Sequence, residues 1–331
     1  MARPVAGQRP PPKRLPPAER SLSNSERQSF TMCRRRYFWT YVKGYAPLST
    51  PTPFLVGTAF HRTLELFYGG SDPDVDAVVK EVFGPAQRGE GGRFLSPEQL
   101  DDLQKQETMA IGMCGAYLKV RNDDRKKWRV LQVNGAPAIE LKGKFRVNRK
   151  WEMFFTADLL VERLDRKGCK GPWIVEHKTT SSIDAGYVSR LSLDEQVSTY
   201  LYGARKAWNV PAEGVIYNVA MKPRIRQKQN EDRAEYLNRV LALYEDSPEE
   251  YLYRCELLRS DADLAEFGAE LELFTGELER TASSGFYYKN TGACTNRGTC
   301  PFMPLCVNGE ENAKDRFRVK SNPRDRYEEE E

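Results

Sequence analysis

WEMFFTADLLVERLDRKGCKGPWIVEHK, residues 151–178, reads as two β-strands separated by a turn. The first segment is rich in β-forming residues, the second begins with an apolar run at 173–175, and Asp-Arg-Lys-Gly between them is a turn signal. Such a hairpin sets Asp158 beside Glu176, and Lys178 shares a face with Glu176 because side chains alternate along a strand. Buried carboxylates are costly unless a cation pairs with them. The stretch therefore predicts either an ordinary ion pair with Lys178 or a site for a hard divalent ion.

The composition sets wide limits on function. The chain has 331 residues, of which 40% are hydrophobic, and its 51 basic and 47 acidic residues leave a net charge of +4. That charge neither demands nor excludes a nucleic-acid partner. No apolar run reaches the length of a membrane span and no secretory signal is recognisable, so we expect an intracellular protein without a membrane partner. The oligomeric state cannot be read from the sequence.

Three regions follow from the distribution of proline and charge. Residues 1–20 are rich in proline and arginine and are expected to be disordered. Residues 21–310 are expected to form one domain. Residues 311–331 are charged, end in four glutamates and are expected to be disordered as well.

The periodicity within the domain indicates an α/β fold. Strands are predicted at 138–147, 152–164, 172–178 and 214–221, and the last can return parallel to the sheet after a helix at 193–208. Other helices are predicted at 23–43, 55–68, 74–83, 96–120, 231–243, 248–259 and 261–283. We expect a mixed central sheet flanked by helices, with helical insertions and the acidic centre at one edge of the sheet.

Two further helices carry candidate residues. His61 is one of only two histidines, and Glu65 lies one turn beyond it on the same helix face. A single helical histidine is often an ordinary surface or core residue, so its role stays open. Gln196 and Tyr200 are four residues apart and share a face. The basic loop at 222–233 either follows a phosphate backbone or is a solvated surface.

Four of the seven cysteines form a candidate metal site. Cys294, Cys300 and Cys306 are spaced Cys-x5-Cys-x5-Cys in one loop, and thiolates bind zinc or iron-sulfur clusters. Zinc sites usually pair cysteines two to four residues apart, so this wider spacing fits a four-iron cluster better. Cys33 is the natural fourth ligand and would join the first helix to this loop.

In order along the chain, Gly57-x3-His61, Asp158, Glu176-x-Lys178 and Gln196-x3-Tyr200 resemble the successive motifs of RecB-type nucleases in the PD-(D/E)XK superfamily. The cysteine frame is similar to that of an iron-sulfur branch of this family. That branch includes CRISPR-adaptation nucleases, helicase-nuclease subunits and similar phage-encoded exonucleases. The resemblance covers residues 21–306. Members often have glycine three residues before the motif aspartate, where this chain has Phe155.

The resemblance implies a restriction-endonuclease-like core and a DNA exonuclease acting on single strands or ends. Its ligands for Mg or Mn would be His61, Asp158, Glu176 and the backbone carbonyl of His177. Lys178 would orient the attacking water, while Gln196 and Tyr200 would position substrate or Lys178. Cys33, Cys294, Cys300 and Cys306 would hold a 4Fe-4S cluster that clamps the two ends of the domain. DNA is the implied partner, a helicase or recombination partner is conceivable, and the setting would be DNA repair, recombination or phage DNA processing.

Two alternatives remain at this point. A nuclease fold can bind DNA or protein without cutting it, although intact Asp158, Glu176 and Lys178 argue against that. The cysteines can also hold zinc, in which case the protein would be colourless.

Overall fold

The computed structural model describes residues 20–48, 52–89, 95–166, 168, 171–296 and 298–320. The prediction of a disordered segment at 1–20 falls, apart from Arg20, outside the described residues, as do Cys169 and the predicted tail beyond Lys320.

The strands and helices occupy the following ranges. The strands are β1 Arg20–Ser23, β2 Tyr45–Pro47, β3 Trp128–Val130, β4 Gln132–Val133, β5 Ala136–Pro137, β6 Ile139–Arg146, β7 Trp151–Arg163, β8 Trp173–Thr180, β9 Gly214–Met221, β10 Leu252–Leu257 and β11 Phe317–Val319. The α-helices are α1 Asn24–Met32, α2 Arg34–Tyr37, α3 Thr52–Tyr68, α4 Val75–Gln87, α5 Pro97–Val120, α6 Asp124–Lys127, α7 Ala185–Leu191, α8 Glu195–Gly203, α9 Arg233–Asp246, α10 Pro248–Tyr251, α11 Asp261–Ser284 and α12 Met303–Asn308.

The main sheet is mixed, as the sequence predicts. Its strand order is β1-β7-β8-β9-β10, with β3 and β6 also paired to β7. β6, β7 and β8 pair antiparallel, and β9 joins β8 in parallel after α7 and α8, which confirms the predicted crossover. β7 and β8 are interior strands. The expectation that the acidic centre lies at a sheet edge is therefore wrong.

Two apolar cores cover the two faces of the sheet. On one face α3, α4, α5 and α9 pack against side chains such as Val175 and Ile216. On the other face α8 and α11 pack against side chains such as Ile174 and Val215. Ile174 and Val175 are consecutive on β8, and Val215 and Ile216 are consecutive on β9, yet the members of each pair lie in opposite cores. Both strands are therefore buried on both sides. This is the usual environment of strands in a helix-covered sheet.

Phe155 is accommodated by glycines on two neighbouring elements, β6 and α8. A Cβ atom added to Gly143 would lie 2.5 Å from Cζ of Phe155, and one added to Gly203 would lie 2.5 Å from its Cε1. The ring therefore fills space that two missing side chains leave between β6 and α8.

Several boundaries differ from those predicted. Residues 248–259 are not one helix, because α10 ends at Tyr251 and β10 follows, pairing antiparallel with β9. The described chain also continues past residue 310, since β11 pairs with β2. The predicted helix at 23–43 starts as expected, with Ser23 accepting a hydrogen bond from the Glu26 N–H at 3.2 Å, but it breaks at Cys33 in an extended conformation. None of the described helices combines the length and apolar character needed to cross a membrane.

Candidate active site

The site forms where β7 and β8 separate. Ladder pairing between them runs from Val161–Trp173 to Leu159–Val175 and stops there. The next residues on the two strands are Asp158 and Glu176. The Asp158 Oδ2 accepts a hydrogen bond from the backbone N–H of His177 at 2.6 Å, so this carboxylate lies between the diverging strands.

The alternation of side chains along β7 inverts at Asp158. Ala157 packs in the core on the α8 face, whereas Leu159, two residues later, packs in the opposite core. Opposite on β6, Glu140 has a φ of +45°, in the left-handed region that non-glycine residues rarely adopt. Such a conformation costs about 1–3 kcal/mol and often marks a functional site. This irregularity of β6 and β7 turns the carboxylates of Glu140 and Asp158 toward α3.

His61 on α3 meets these two carboxylates. Its Nδ1 is 3.4 Å from Asp158 Oδ1 and 3.8 Å from Glu140 Oε1. One ligand atom from each of the three residues lies within 4.8 Å of the others. The sequence analysis missed Glu140. The only sequence signal was an acidic residue at the start of a predicted strand, and the left-handed backbone that directs it is visible only in three dimensions.

Glu176 has a different set of partners. Its carboxylate contacts the Lys178 ammonium through Oε1 and accepts a hydrogen bond from the Tyr200 hydroxyl at 2.6 Å through Oε2. The amide of Gln196 in turn donates to the Tyr200 hydroxyl. The structure therefore brings together the predicted residues of β8 and α8, with Gln196 holding Tyr200 and Tyr200 holding Glu176.

Burial and charge set the protonation of the acidic pair. Glu176 is 2% exposed, and burial followed by the charge of Asp158 raises its pKa to about 7, against the lowering effect of Lys178. Burial would also raise the pKa of Asp158, but His61 lowers it to about 2. In the other direction, burial would lower the pKa of His61, yet Asp158 raises it to about 10. Asp158 is therefore ionised at neutral pH, whereas Glu176 takes up a proton more readily than an ordinary glutamate.

The same electrostatics apply to Lys178. Burial opposes its charge, but the contact with Glu176 raises the pKa of the ammonium above its ordinary value. Lys178 is therefore charged at neutral pH and about one third exposed, since its side chain lines an open groove beside His61.

The ring of His177 lies edge-on to the ring of His61, with centroids 6.3 Å apart, and is held from behind by other buried groups. Its ring stacks on Tyr68 with centroids 5.4 Å apart, its Nδ1 lies 2.8 Å from the amide of Asn218, and burial lowers its pKa to about 3. The backbone N–H of His177 donates to Asp158. The predicted carbonyl ligand remains a prediction.

Behind His177 lies a buried polar network. Asn218 also donates to the Tyr117 hydroxyl and accepts from Arg254, and Arg254 forms an ion pair with the fully buried Asp124 at 2.7 Å. Asp124 also accepts from Tyr68 at 3.0 Å. This network ties α3, α5 and α6 to the strands that carry the acidic centre.

The donor set fits a divalent cation. One imidazole nitrogen and two carboxylates converge in the His61, Glu140 and Asp158 group, with the Glu176 carboxylate next to Asp158. Carboxylate and imidazole ligands suit Mn²⁺, and carboxylates alone suit Mg²⁺. A cation would also offset the repulsion between Asp158 and Glu176 that raises the pKa of the latter.

The four predicted cluster cysteines lie in two adjoining segments. The backbone N–H of Asn290 donates to Cys33 Sγ at 3.3 Å, and the indole of Trp39 donates to Cys306 Sγ at 3.4 Å. Burial raises the pKa of Cys300, and the neighbouring thiols of Cys294 and Cys306 add to that effect. The extended break at Cys33 brings the end of α1 against the C-terminal loop.

Within the part of the chain that the structure describes, no three cysteines bring their sulfurs within 4.8 Å of one another. The six described cysteines are all free thiols.

Comparison with known proteins yields one family. The model of the PD-(D/E)XK nuclease superfamily matches residues 21–307, which span the described sheet, α3, α8 and the cysteine loop. None of the curated proteins matches the chain.

Proposed function

The chain belongs to the PD-(D/E)XK nuclease superfamily, and from this premise we propose that it is a metal-dependent DNA exonuclease of the RecB type that digests single strands or DNA ends. The superfamily uses divalent metals, which agrees with the convergent His61, Glu140 and Asp158 group. The observation that carries the proposal is the acidic centre on interior strands, where the buried Asp158 and Glu176 lie beside a charged lysine that lines a groove.

We assign the ligands of the ion to His61, Asp158, Glu176 and the backbone carbonyl of His177, with Glu140 as an additional carboxylate. When bound, Mg²⁺ or Mn²⁺ would polarise the scissile phosphodiester and lower the pKa of the attacking water.

The protein's own groups provide orientation and charge. Asp158 is held by the His177 N–H and by His61, so it keeps one position between the strands. Tyr200, itself held by Gln196, fixes one oxygen of Glu176. The Lys178 ammonium, exposed to the groove, would orient the water and stabilise the negative charge that develops on the phosphate as water adds and the leaving oxygen departs.

We further propose that Cys33, Cys294, Cys300 and Cys306 hold a 4Fe-4S cluster. The support is the proximity of the two segments and the Cys-x5-Cys-x5-Cys sequence spacing, which is wider than that of most zinc sites. The cluster would clamp the first helix to the C-terminal loop, so its loss should lower stability before it lowers activity. Anaerobically purified wild type should be brown, with iron-thiolate absorbance near roughly 400 nm, and Cys306→Ser should lose most of it. Colourless wild type containing stoichiometric zinc would overturn this assignment.

The exonuclease proposal predicts dependence on a free DNA end. End-labelled linear and circular single-stranded DNA are incubated with wild type and Glu176→Ala in Mn²⁺. Loss of the linear substrate alone, abolished in the variant, supports an exonuclease and gives its polarity from the label. Cutting of circles would make the protein an endonuclease. Inertness of folded wild type toward both substrates would favour a nuclease fold that only binds.

The proposed setting is DNA recombination or repair, or the processing of phage DNA, with a helicase or recombination partner. It rests on the resemblance of the motifs and the cysteine frame. Co-purification of a helicase with the tagged native protein, lost when the DNA is digested away, would argue for shared DNA and against a direct partner.

A further inference from the structure

The acidic centre opens into a groove of about 940 Å³ between α3 and the ends of β8 and β9. One wall is a single face of α3, since its lining residues are spaced three or four apart; they are Phe54, Gly57, Thr58, His61, Arg62 and Glu65. The other wall consists of Glu140, Lys178, Thr179 and Lys222. The groove therefore runs along α3 from the catalytic residues to Phe54.

Phe54 is the unusual member of this lining. Its side chain is 62% exposed at the start of α3, two turns from His61 on the same face, while the other phenylalanines of that helix, Phe60 and Phe67, are buried. A large aromatic ring exposed in this groove gains nothing from the protein core. Its free face can stack on another flat ring.

Gly57 keeps the groove open between Phe54 and His61. A Cβ atom there would be in ordinary contact with Thr179 Oγ1, at 3.5 Å. Any longer side chain at residue 57 would extend into the space between α3 and β8.

The opposite wall carries two lysines, Lys178 and Lys222, besides Glu140. Lys222 follows β9 directly, and its backbone N–H donates to the Thr180 carbonyl at 2.7 Å, so the residue is anchored beside the end of β8. Burial lowers the pKa of its ammonium, and an anion next to it would reverse that effect. Arg224, two residues on, is exposed and donates to the Ser181 carbonyl at 3.2 Å. The chain thus continues the positive wall away from the catalytic residues.

We propose that this groove binds an unpaired nucleic-acid strand, with one base stacked on Phe54 and a phosphate beside Lys222. The inference rests on the proposed function and narrows it, because a base within an intact duplex is already stacked on both sides and cannot meet the ring. Sites for single strands combine an aromatic platform with a basic track in this way.

The first test is equilibrium binding of a fluorescent oligonucleotide in EDTA, where no cleavage occurs. Phe54→Ala should weaken single-strand binding by about 5- to 150-fold, the range measured for loss of one base-aromatic stack. Phe54→Trp should restore it. Leu273→Ala, which also removes an exposed apolar side chain from a helix but lies outside the groove lining, is the matched control and should bind as wild type. Melting temperatures of all variants establish that they are folded.

A second measurement examines the phosphate contact. Lys222→Gln should reduce the slope of log K against log salt by about 0.7, the value for one phosphate contact with a single strand. A 2-aminopurine scanned through the oligonucleotide should show one position whose fluorescence is quenched by wild type and not by Phe54→Ala.

The outcomes separate this inference from the nuclease assignment. Unchanged single-strand binding by folded Phe54→Ala would overturn the inference. So would a loss of binding to a blunt duplex of the same sequence that equals the loss for the single strand. In either case the exposed ring would suit a contact with another protein. Cleavage by wild type in Mn²⁺ would still support the nuclease in that case. Conversely, Phe54-dependent binding by a wild type that cuts no DNA would support the groove and overturn the proposed activity.

Discussion

Replacement of Asp124 by asparagine tests whether the buried network behind the active site is a major source of stability. Asp124 is fully buried and accepts hydrogen bonds from two nitrogens of Arg254, at 3.1 and 2.7 Å, and from Tyr68 at 3.0 Å. Burial would lower the pKa of Arg254, but these bonds raise it above its ordinary value. Asp124→Asn keeps the shape of the side chain but replaces the carboxylate by a neutral amide, so the largely buried Arg254 guanidinium loses its anionic partner and keeps neutral acceptors such as the Asn218 amide oxygen.

The expected loss can be estimated from this arrangement. Removing one partner of a buried ion pair costs about 3–5 kcal/mol because the other charge stays buried and uncompensated. The entropy of unfolding is about 2.1 cal/mol/K per residue, or about 0.7 kcal/mol/K for 331 residues. The melting temperature of Asp124→Asn should therefore fall by about 4–7 °C.

The neighbouring residue supplies the control. Asp123, the residue before α6, forms an exposed pair with Lys126, and such pairs contribute about 0–1 kcal/mol. In thermal melts followed by circular dichroism, Asp123→Asn should stay within about 1 °C of wild type. An Asp124→Asn protein that melts together with this control would refute the argument that the network stabilises the strands of the site.

Two further predictions concern the metal site and helix packing. Mn²⁺ at 100 times its dissociation constant should stabilise wild type by about 2.7 kcal/mol, or about 4 °C, because it binds only the folded state; an equal shift in Asp158→Ala would show that the ion binds elsewhere. Gly112→Ala should be less stable than Gly115→Ala by about 1–3 kcal/mol. The new Cβ would lie 2.6 Å from Val240 Cγ1 at residue 112 and would meet only an ordinary contact at residue 115, so equal melting temperatures would contradict the close packing of α5 on α9.

The central hairpin could be predicted because its signals are local. A turn between two β-rich segments, with charges at the end of the second, places Asp158 opposite Glu176 without knowledge of any distant residue. The crossover to β9 followed from the helix between two apolar strands. The fold class could therefore be predicted from the sequence and agrees with the family and the structure.

The differences arise where distant contacts override local pattern. Residues 248–251 carry a helix start signal, but pairing with β9 converts the following residues into β10. Residues 317–319 have the sequence of a charged tail. They form a strand because they pair antiparallel with β2. Glu140 reaches the site through a left-handed backbone that no sequence pattern signals.

Cleavage of a 5′-labelled single-stranded oligonucleotide in Mn²⁺ tests the central claim most directly, with wild type, Lys178→Ala and Glu162→Ala compared at equal concentration. Glu162 lies on β7 with Asp158 but forms an exposed pair with Arg129 outside the groove, so its variant should cut as wild type. Lys178→Ala should cut at least about 10²-fold more slowly, because it loses the charge that stabilises the transition state. Cleavage by folded Lys178→Ala at the rate of wild type would contradict the assignment of the acidic centre on β7 and β8 as the active site.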